Sequence, residues 1–136
     1  MAQTANDPVF SELERGPFSA ALGLRIEKRG AGEATVRMPF AERLLNAGGP
    51  DVPIHGGAIA ALADFAACVA VWTMPETSSS ATISMTVNYS APAIRTDLIA
   101  HARVRRAGRR IASVAVEIRD TRGALVADSL VTYKIA

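Results

Sequence analysis

A chain of 136 residues, 49% of them hydrophobic and 21% charged, has the length and the apolar content for one domain around a packed core. Its net charge of +2 is too small to create the global field that draws a protein to nucleic acid. The single cysteine, Cys68, excludes an internal disulfide and a Cys-rich zinc site, and its place in an apolar run reads as a small core hydrophobe.

Residues 1 to 6 read as a loose polar tail without the basic-then-apolar pattern of a secretion signal. Asp7-Pro8 is a helix start, with Asp as N-cap and Pro at the first helical position. Val9, Phe10 and Leu13 mark its apolar face, and Phe18 to Leu22 forms a second short helical piece that closes at Gly23. Leu24, Ile26 and Lys28 then alternate with Arg25 and Glu27, the period of a half-buried strand. Gly30-Ala31-Gly32 turns the chain into a second strand, Glu33 to Phe40, with Ala34, Val36 and Met38 on one face and Pro39 marking an edge or an end.

Residues 41 to 54 form a loop punctuated by two prolines and Gly48-Gly49, and a loop this long in a small domain is often functional. Its Asn46 is a polar group able to point back into a site. A helix follows from about His55 to Met74, stopped by Pro75. It is rich in alanine and apolar around nearly its whole circumference, so burial nearly all round is expected, close against a sheet. It is slightly short for a membrane span, and the expectation is a soluble cytoplasmic protein with no membrane partner.

Four strand-like segments complete the chain: Ala81 to Tyr89, Leu98 to Arg106, Arg110 to Arg119 and Leu125 to Ile135. Ala107-Gly108 signals a hairpin, and Thr121-Arg122-Gly123 a turn. Strands after helices, without repeats or linkers, predict an α+β fold over residues 1–136: one curved antiparallel sheet packed on one long helix. The sheet edges of such a fold are naturally covered by oligomerisation.

The chemistry gathers on the long helix. The first N–H groups of a helix lack intrahelical partners and sit at the positive end of its dipole. Gly56 and Gly57 would let a ligand oxygen approach those groups, forming an oxyanion hole, or would simply permit a tight entry turn. His55 can donate to the same oxygen or fix the loop. Asp64 is an anomaly in so apolar a run, either a surface carboxylate or a functional one.

Asp64 lies eight residues beyond Gly56, which is about 12 Å of helix. One carboxylate cannot reach a carbonyl held at its own helix N-terminus. If both act in one reaction, they come from two chains whose helices run antiparallel across a two-fold axis. Thr82 and Asn88 share a strand face with Ser84 and Thr86, a pattern that fits solvent or a site. Arg103, Arg105, Arg106, Arg109 and Arg110 surround one hairpin and suit either phosphate or solvent. No aromatic residues interleave them as a stacking platform requires, so nucleic acid is not the expected partner. His101 is not at metal-ligand spacing with His55, and no metal is expected.

His55-Gly56-Gly57, then Leu62-Ala63-Asp64, then Val87-Asn88-Tyr89-Ser90-Ala91-Pro92 together resemble the hotdog-fold acyl-CoA thioesterases, in the PaaI-like branch of the hydroxybenzoyl-CoA thioesterase superfamily. The resemblance implies a hydrolase of acyl-CoA thioesters that works without a cofactor, CoA being part of the substrate. It implies that Asp64 is nucleophile or general base for water. It implies that the Gly56 N–H, from the other subunit, polarises the thioester carbonyl with support from His55. Asn46 and Thr82 correspond by position to assisting residues, although Gly48-Gly49-Pro50 resembles an insertion beside Asn46. Family members are homodimers, often assembled as homotetramers. The mechanism expected here runs CoA along the subunit interface, with Gly57 and Asn88 as further substrate contacts and its phosphates near Arg103–Arg110. The competing expectations are a hotdog hydroxyacyl-thioester dehydratase or hydratase, and a non-catalytic acyl-CoA-binding protein.

Overall fold

In the computed structural model, residues 7–136 are described; the reading of residues 1–6 as a tail lies outside them. Helices α1 (Asp7–Arg15) and α2 (Pro17–Leu22) lead into strands β1 (Arg25–Gly30) and β2 (Glu33–Met38). The long helix α3 (Gly56–Trp72) precedes β3 (Ala81–Tyr89), β4 (Leu98–Ala107), β5 (Ile111–Asp120) and β6 (Leu125–Lys134). The strands form one antiparallel sheet in the order β1-β2-β4-β5-β6-β3. This is the hotdog arrangement, a sheet wrapped on a central helix.

The two-residue period of the strands decides what α3 meets. Ala34, Val36 and Met38 of β2, Leu98, Ala100 and Ala102 of β4, and Val114, Val116 and Ile118 of β5 are all buried. They face Leu62, Ala63, Ala66, Ala67, Val69 and Ala70 of the helix, which are fully buried in turn. Small residues on both sides allow close approach, and each large aliphatic side chain contributes about 2 kcal/mol by burial. Burial is not uniform around the helix, contrary to its composition. Ala60, Ala61, Asp64, Cys68 and Trp72 are only half-buried, and Gly57 is exposed, so one stripe of α3 faces away from the sheet.

Helix α3 ends at Trp72, two residues before the expected stop, because Thr73 caps it. The Thr73 hydroxyl donates to the Ala70 carbonyl at 2.7 Å and accepts the Gly32 N–H at 2.8 Å, tying the helix end to the β1–β2 turn. At the other end the loop 41–54 closes on itself. The Asn46 N–H donates to the Pro53 carbonyl at 3.1 Å and the His55 N–H to the Leu44 carbonyl at 2.7 Å. The Ile54 N–H, bonded to the Ala93 carbonyl at 2.9 Å, fixes where α3 begins relative to the segment after β3.

Two bulges change which residues share a face. In β1 the register shifts between Ile26 and Lys28, so Lys28 turns out to solvent instead of following Leu24 and Ile26. Arg29 turns in instead and lies 3.9 Å from the centre of the Phe10 ring. In β3 the register shifts between Thr82 and Ser84. Thr82 therefore does not share a face with Ser84, Thr86 and Asn88, as strict alternation predicts; it turns toward α3, and Met85 and Val87 take up the inward positions beyond the bulge. No helix among the described residues is long and apolar enough to cross a membrane.

Candidate active site

Helix α3 runs unbroken from Gly56 to Trp72, so Gly56 and Asp64 are about 12 Å apart along its axis. They form two separate half-sites.

The first half-site is built by register. Thr82 and Tyr133 are paired across β3 and β6, and both point at Asp64. The Thr82 hydroxyl donates to Asp64 Oδ1 at 2.8 Å. The Tyr133 hydroxyl lies 2.5 Å from the same Oδ1 and 2.7 Å from the Asp64 carbonyl oxygen. Tyr133 is 2% exposed. Burial first, then the neighbouring Cys68 and Asp64, push its phenol above the ordinary tyrosine range, which keeps it a proton donor. Among the described residues nothing donates to Oδ2. One carboxylate oxygen is thus held by two hydroxyls while the other keeps its lone pairs.

Start of β3 and end of α3 are joined by Ser80. Its Oγ accepts from Trp72 Nε1 at 3.0 Å and lies 3.7 Å from Cys68 Sγ. The Asp64 carboxylate opens into a cleft of about 230 Å³ walled by Phe18, Leu24, Ala61 and Phe65, with Cys68 also lining it. Burial raises the Cys68 thiol to about 11, against the opposing effect of Ser80. At neutral pH it is a protonated thiol, not a nucleophile.

The second half-site is made of backbone. His55 is the N-cap of α3, and its Nδ1 accepts the Gly57 N–H at 2.7 Å. The imidazole therefore spends Nδ1 on the helix turn, and Gly57 spends its N–H on the imidazole instead of offering it to a ligand. The Gly56 N–H has no acceptor among the described residues. Tyr89 at the end of β3 donates its hydroxyl to the Gly56 carbonyl at 2.8 Å. Both glycines are required by close neighbours. A Cβ at 56 would meet the Tyr89 ring at 3.3 Å, and one at 57 would meet His55 Nδ1 at 2.9 Å. Beside this turn is a second cleft, about 330 Å³, lined by Pro53, Ile54, Ile59, Tyr89 and Pro92.

Of the remaining sequence candidates, Asn46 is exposed in the loop beside the Gly56 end and away from Asp64. Asn88 is exposed, opposite Asp128 in register and beyond the β3 bulge, on the face turned away from Asp64. Arg103, Arg105, Arg106, Arg109 and Arg110 are all exposed. Among the described residues their side chains have no ion-pair or hydrogen-bond partner. Lys134 pairs with both Ala81 and Ile111, so the hairpin base is two strands from the start of β3, roughly 10 Å. His101 pairs with Glu33 at 2.8 Å on the sheet surface. The residue that sequence reasoning missed is Tyr133. Its signal was a tyrosine at an inward-facing position of β6, since a buried hydroxyl must find an acceptor.

Comparisons with known proteins converge on one family. The sequence pattern of the thioesterase superfamily matches residues 54–127, the stretch that carries every residue of both candidate half-sites except Tyr133. A Halobacterium salinarum protein provisionally named an esterase is 37% identical over 100 residues, a match spanning 71% of this chain and 66% of that protein. The structure of a conserved Pseudomonas aeruginosa protein superposes with a TM-score of 0.83 at 31% identity, covering 92% of this chain and 98% of that one. The Escherichia coli PaaI protein of the phenylacetic acid degradation operon superposes with a TM-score of 0.82 at 25% identity, covering 94% of this chain and 90% of that one.

Proposed function

The chain belongs to the thioesterase superfamily, in its PaaI type, and from that premise we propose that it hydrolyses acyl-CoA thioesters as a homodimer. Each site takes Asp64 from one protomer and the Gly56 N–H from its partner. The observation that carries this reading is the Asp64 carboxylate, with Oδ1 held by Thr82 and Tyr133 and Oδ2 unspent. A side chain held this firmly, with one oxygen unclaimed and a cleft beside it, is prepared to act on a substrate.

Three features support the two-chain site. The helix pitch separates the half-sites by about 12 Å within one chain. The half-buried stripe of α3 through Ala60, Ala61 and Asp64 has small residues where a second helix can lie close. Among the described residues strand β3 pairs only with β6, and its nine residues carry no charge, so its outer edge can take a second copy. A dimer of such dimers would give the homotetramer that the family resemblance implies.

In the reaction, the thioester carbonyl oxygen accepts the Gly56 N–H, and the positive end of α3 favours the charge that develops there. Asp64 Oδ2 takes a proton from water as the water attacks the carbonyl carbon, or attacks that carbon itself. The tetrahedral intermediate collapses with loss of the C–S bond, and CoA leaves as a thiolate that is protonated to the thiol. In the direct route, water then cleaves the acyl-aspartate. Either way one water is consumed and one acid and one thiol are formed. A thiolate is a good leaving group, so no strong general acid is required. His55 acts through Gly57, and no cofactor is needed beyond the CoA already in the substrate. The phosphates of CoA meet the unpaired arginines of the Arg103–Arg110 hairpin.

A panel of aromatic, short-chain and medium-chain acyl-CoA esters, followed by release of free thiol, tests the reading. Turnover of at least one ester, lost in Asp64→Ala, is expected. Formation of an enoyl thioester without thiol release would assign a hydratase instead, and tight binding without turnover would assign a binding protein.

A further inference from the structure

The Gly56-Gly57 turn holds the oxyanion donor of the proposed site at the least constrained place in α3. Two adjacent glycines have the widest choice of backbone torsions of any residue pair. A donor N–H works only if it is aimed where the oxygen will be, and small misplacements are costly in rate.

The structure holds that turn from both sides of one peptide plane. The Gly56–Gly57 peptide has its N–H on His55 Nδ1 at 2.7 Å and its carbonyl on the Tyr89 hydroxyl at 2.8 Å. Two hydrogen bonds at opposite ends of a rigid planar unit fix its rotation. The neighbouring His55–Gly56 peptide, which carries the free N–H, shares the Gly56 Cα; its carbonyl accepts the Ala58 N–H at 3.0 Å and the Ile59 N–H at 3.3 Å, and holding the next plane as well restricts the torsions at the glycine between them. The Tyr89 ring closes the third side, since even a methyl group on Gly56 would crowd it at 3.3 Å.

Tyr89 is 53% exposed, so water could satisfy its hydroxyl. Its bond to Gly56 is not forced by burial, as that of Tyr133 is. Tyr89 also belongs to β3, the strand that supplies Thr82 to the other half-site, so one strand sets the geometry at both ends of the catalytic stretch of α3.

We propose that Tyr89 is a positioning residue that aims the Gly56 N–H at the substrate carbonyl by clamping the Gly56–Gly57 peptide against His55. The proposal rests on the thioesterase reading. It predicts that Tyr89 contributes to the transition state and not to substrate affinity.

The test is Tyr89→Phe, which keeps the ring and removes the bond, assayed on the acyl-CoA ester that the unaltered protein hydrolyses fastest. Its kcat should fall about tenfold, less than the 10²–10³-fold typical of deleting an oxyanion donor outright. KM, the thermal midpoint and the affinity for the matching S-alkyl-CoA thioether, which has no carbonyl, should stay unchanged. Faster hydrogen exchange at the Gly57 amide should accompany the loss. Full kcat in Tyr89→Phe, with Asp64→Ala inactive, overturns the clamp and leaves the thioesterase reading intact. A raised KM at unchanged kcat makes Tyr89 a substrate contact and equally overturns it. An active Asp64→Ala overturns the reading underneath.

Discussion

At Asp64, α3 offers a carboxylate with one oxygen held by two hydroxyls and the other unclaimed. Eight residues earlier, at Gly56, it offers a backbone N–H and no side chain at all. The acceptor half-site needs three elements, α3, β3 and β6, brought together by the pairing of Thr82 with Tyr133. The donor half-site needs only the helix end and two flanking rings, His55 and Tyr89. The difference teaches how each fails. Side-chain substitution reaches the acceptor directly, but it reaches the donor only through the groups that orient the backbone. A single α3 supplies both kinds of group and cannot bring them together.

The sharpest break in this comparison is Asp64→Ala. It should lower kcat by about 10³-fold, within the range for loss of a general base, while the thermal midpoint holds because the core beneath is untouched. Next, Tyr133→Phe should lower kcat about tenfold and cost about 1 kcal/mol of stability in urea unfolding, since it frees Oδ1 to rotate. Thr82→Ala, which leaves the Tyr133 bond in place, should cost only about threefold in rate. Equal losses in Tyr133→Phe and Asp64→Ala would mean that Tyr133 does more than orient the carboxylate. The smallest effect belongs to the region outside both half-sites. Arg109→Ala with Arg110→Ala should raise KM by about threefold at low salt, with kcat unchanged and the difference vanishing as salt rises.

Much of this was legible in the residues because two periods carry it. The strand positions of Ala34, Val36 and Met38 follow from alternation, and α3, to within two residues of its end, from its apolar alanine-rich run and the proline beyond it. The proposal of a two-chain site follows from helix pitch once both groups are assigned to one reaction. What alternation could not give was the β3 bulge, which no residue in Ala81–Tyr89 announces and which alone turns Thr82 toward Asp64. Tyr133 and Asp64 are 69 residues apart, a contact that only the strand order reveals. His55 was read as a group facing the ligand oxygen or fixing the loop, and its Nδ1 in the structure serves the turn. A nitrogen's choice between a ligand and a nearby N–H depends on local torsions that a residue pattern does not encode.

The central claim, one site from two chains, is tested most directly by mixing two inactive variants. Asp64→Ala removes the acceptor. Gly56→Pro removes the donor N–H at the first helical position, where the helix backbone tolerates proline and His55 at φ −58° and ψ 133° already has the conformation a following proline requires; its ring displaces Tyr89, which a Cβ at 56 meets at 3.3 Å, so the donor half-site of that chain is lost twice over. Each homodimer should be inactive. A mixed dimer keeps one intact site, with Asp64 from the proline-bearing chain and Gly56 from the other. Random reassortment, checked by mass spectrometry, should restore about a quarter of the activity of the unaltered protein. Mixed dimers that form and stay inactive would contradict the two-chain site.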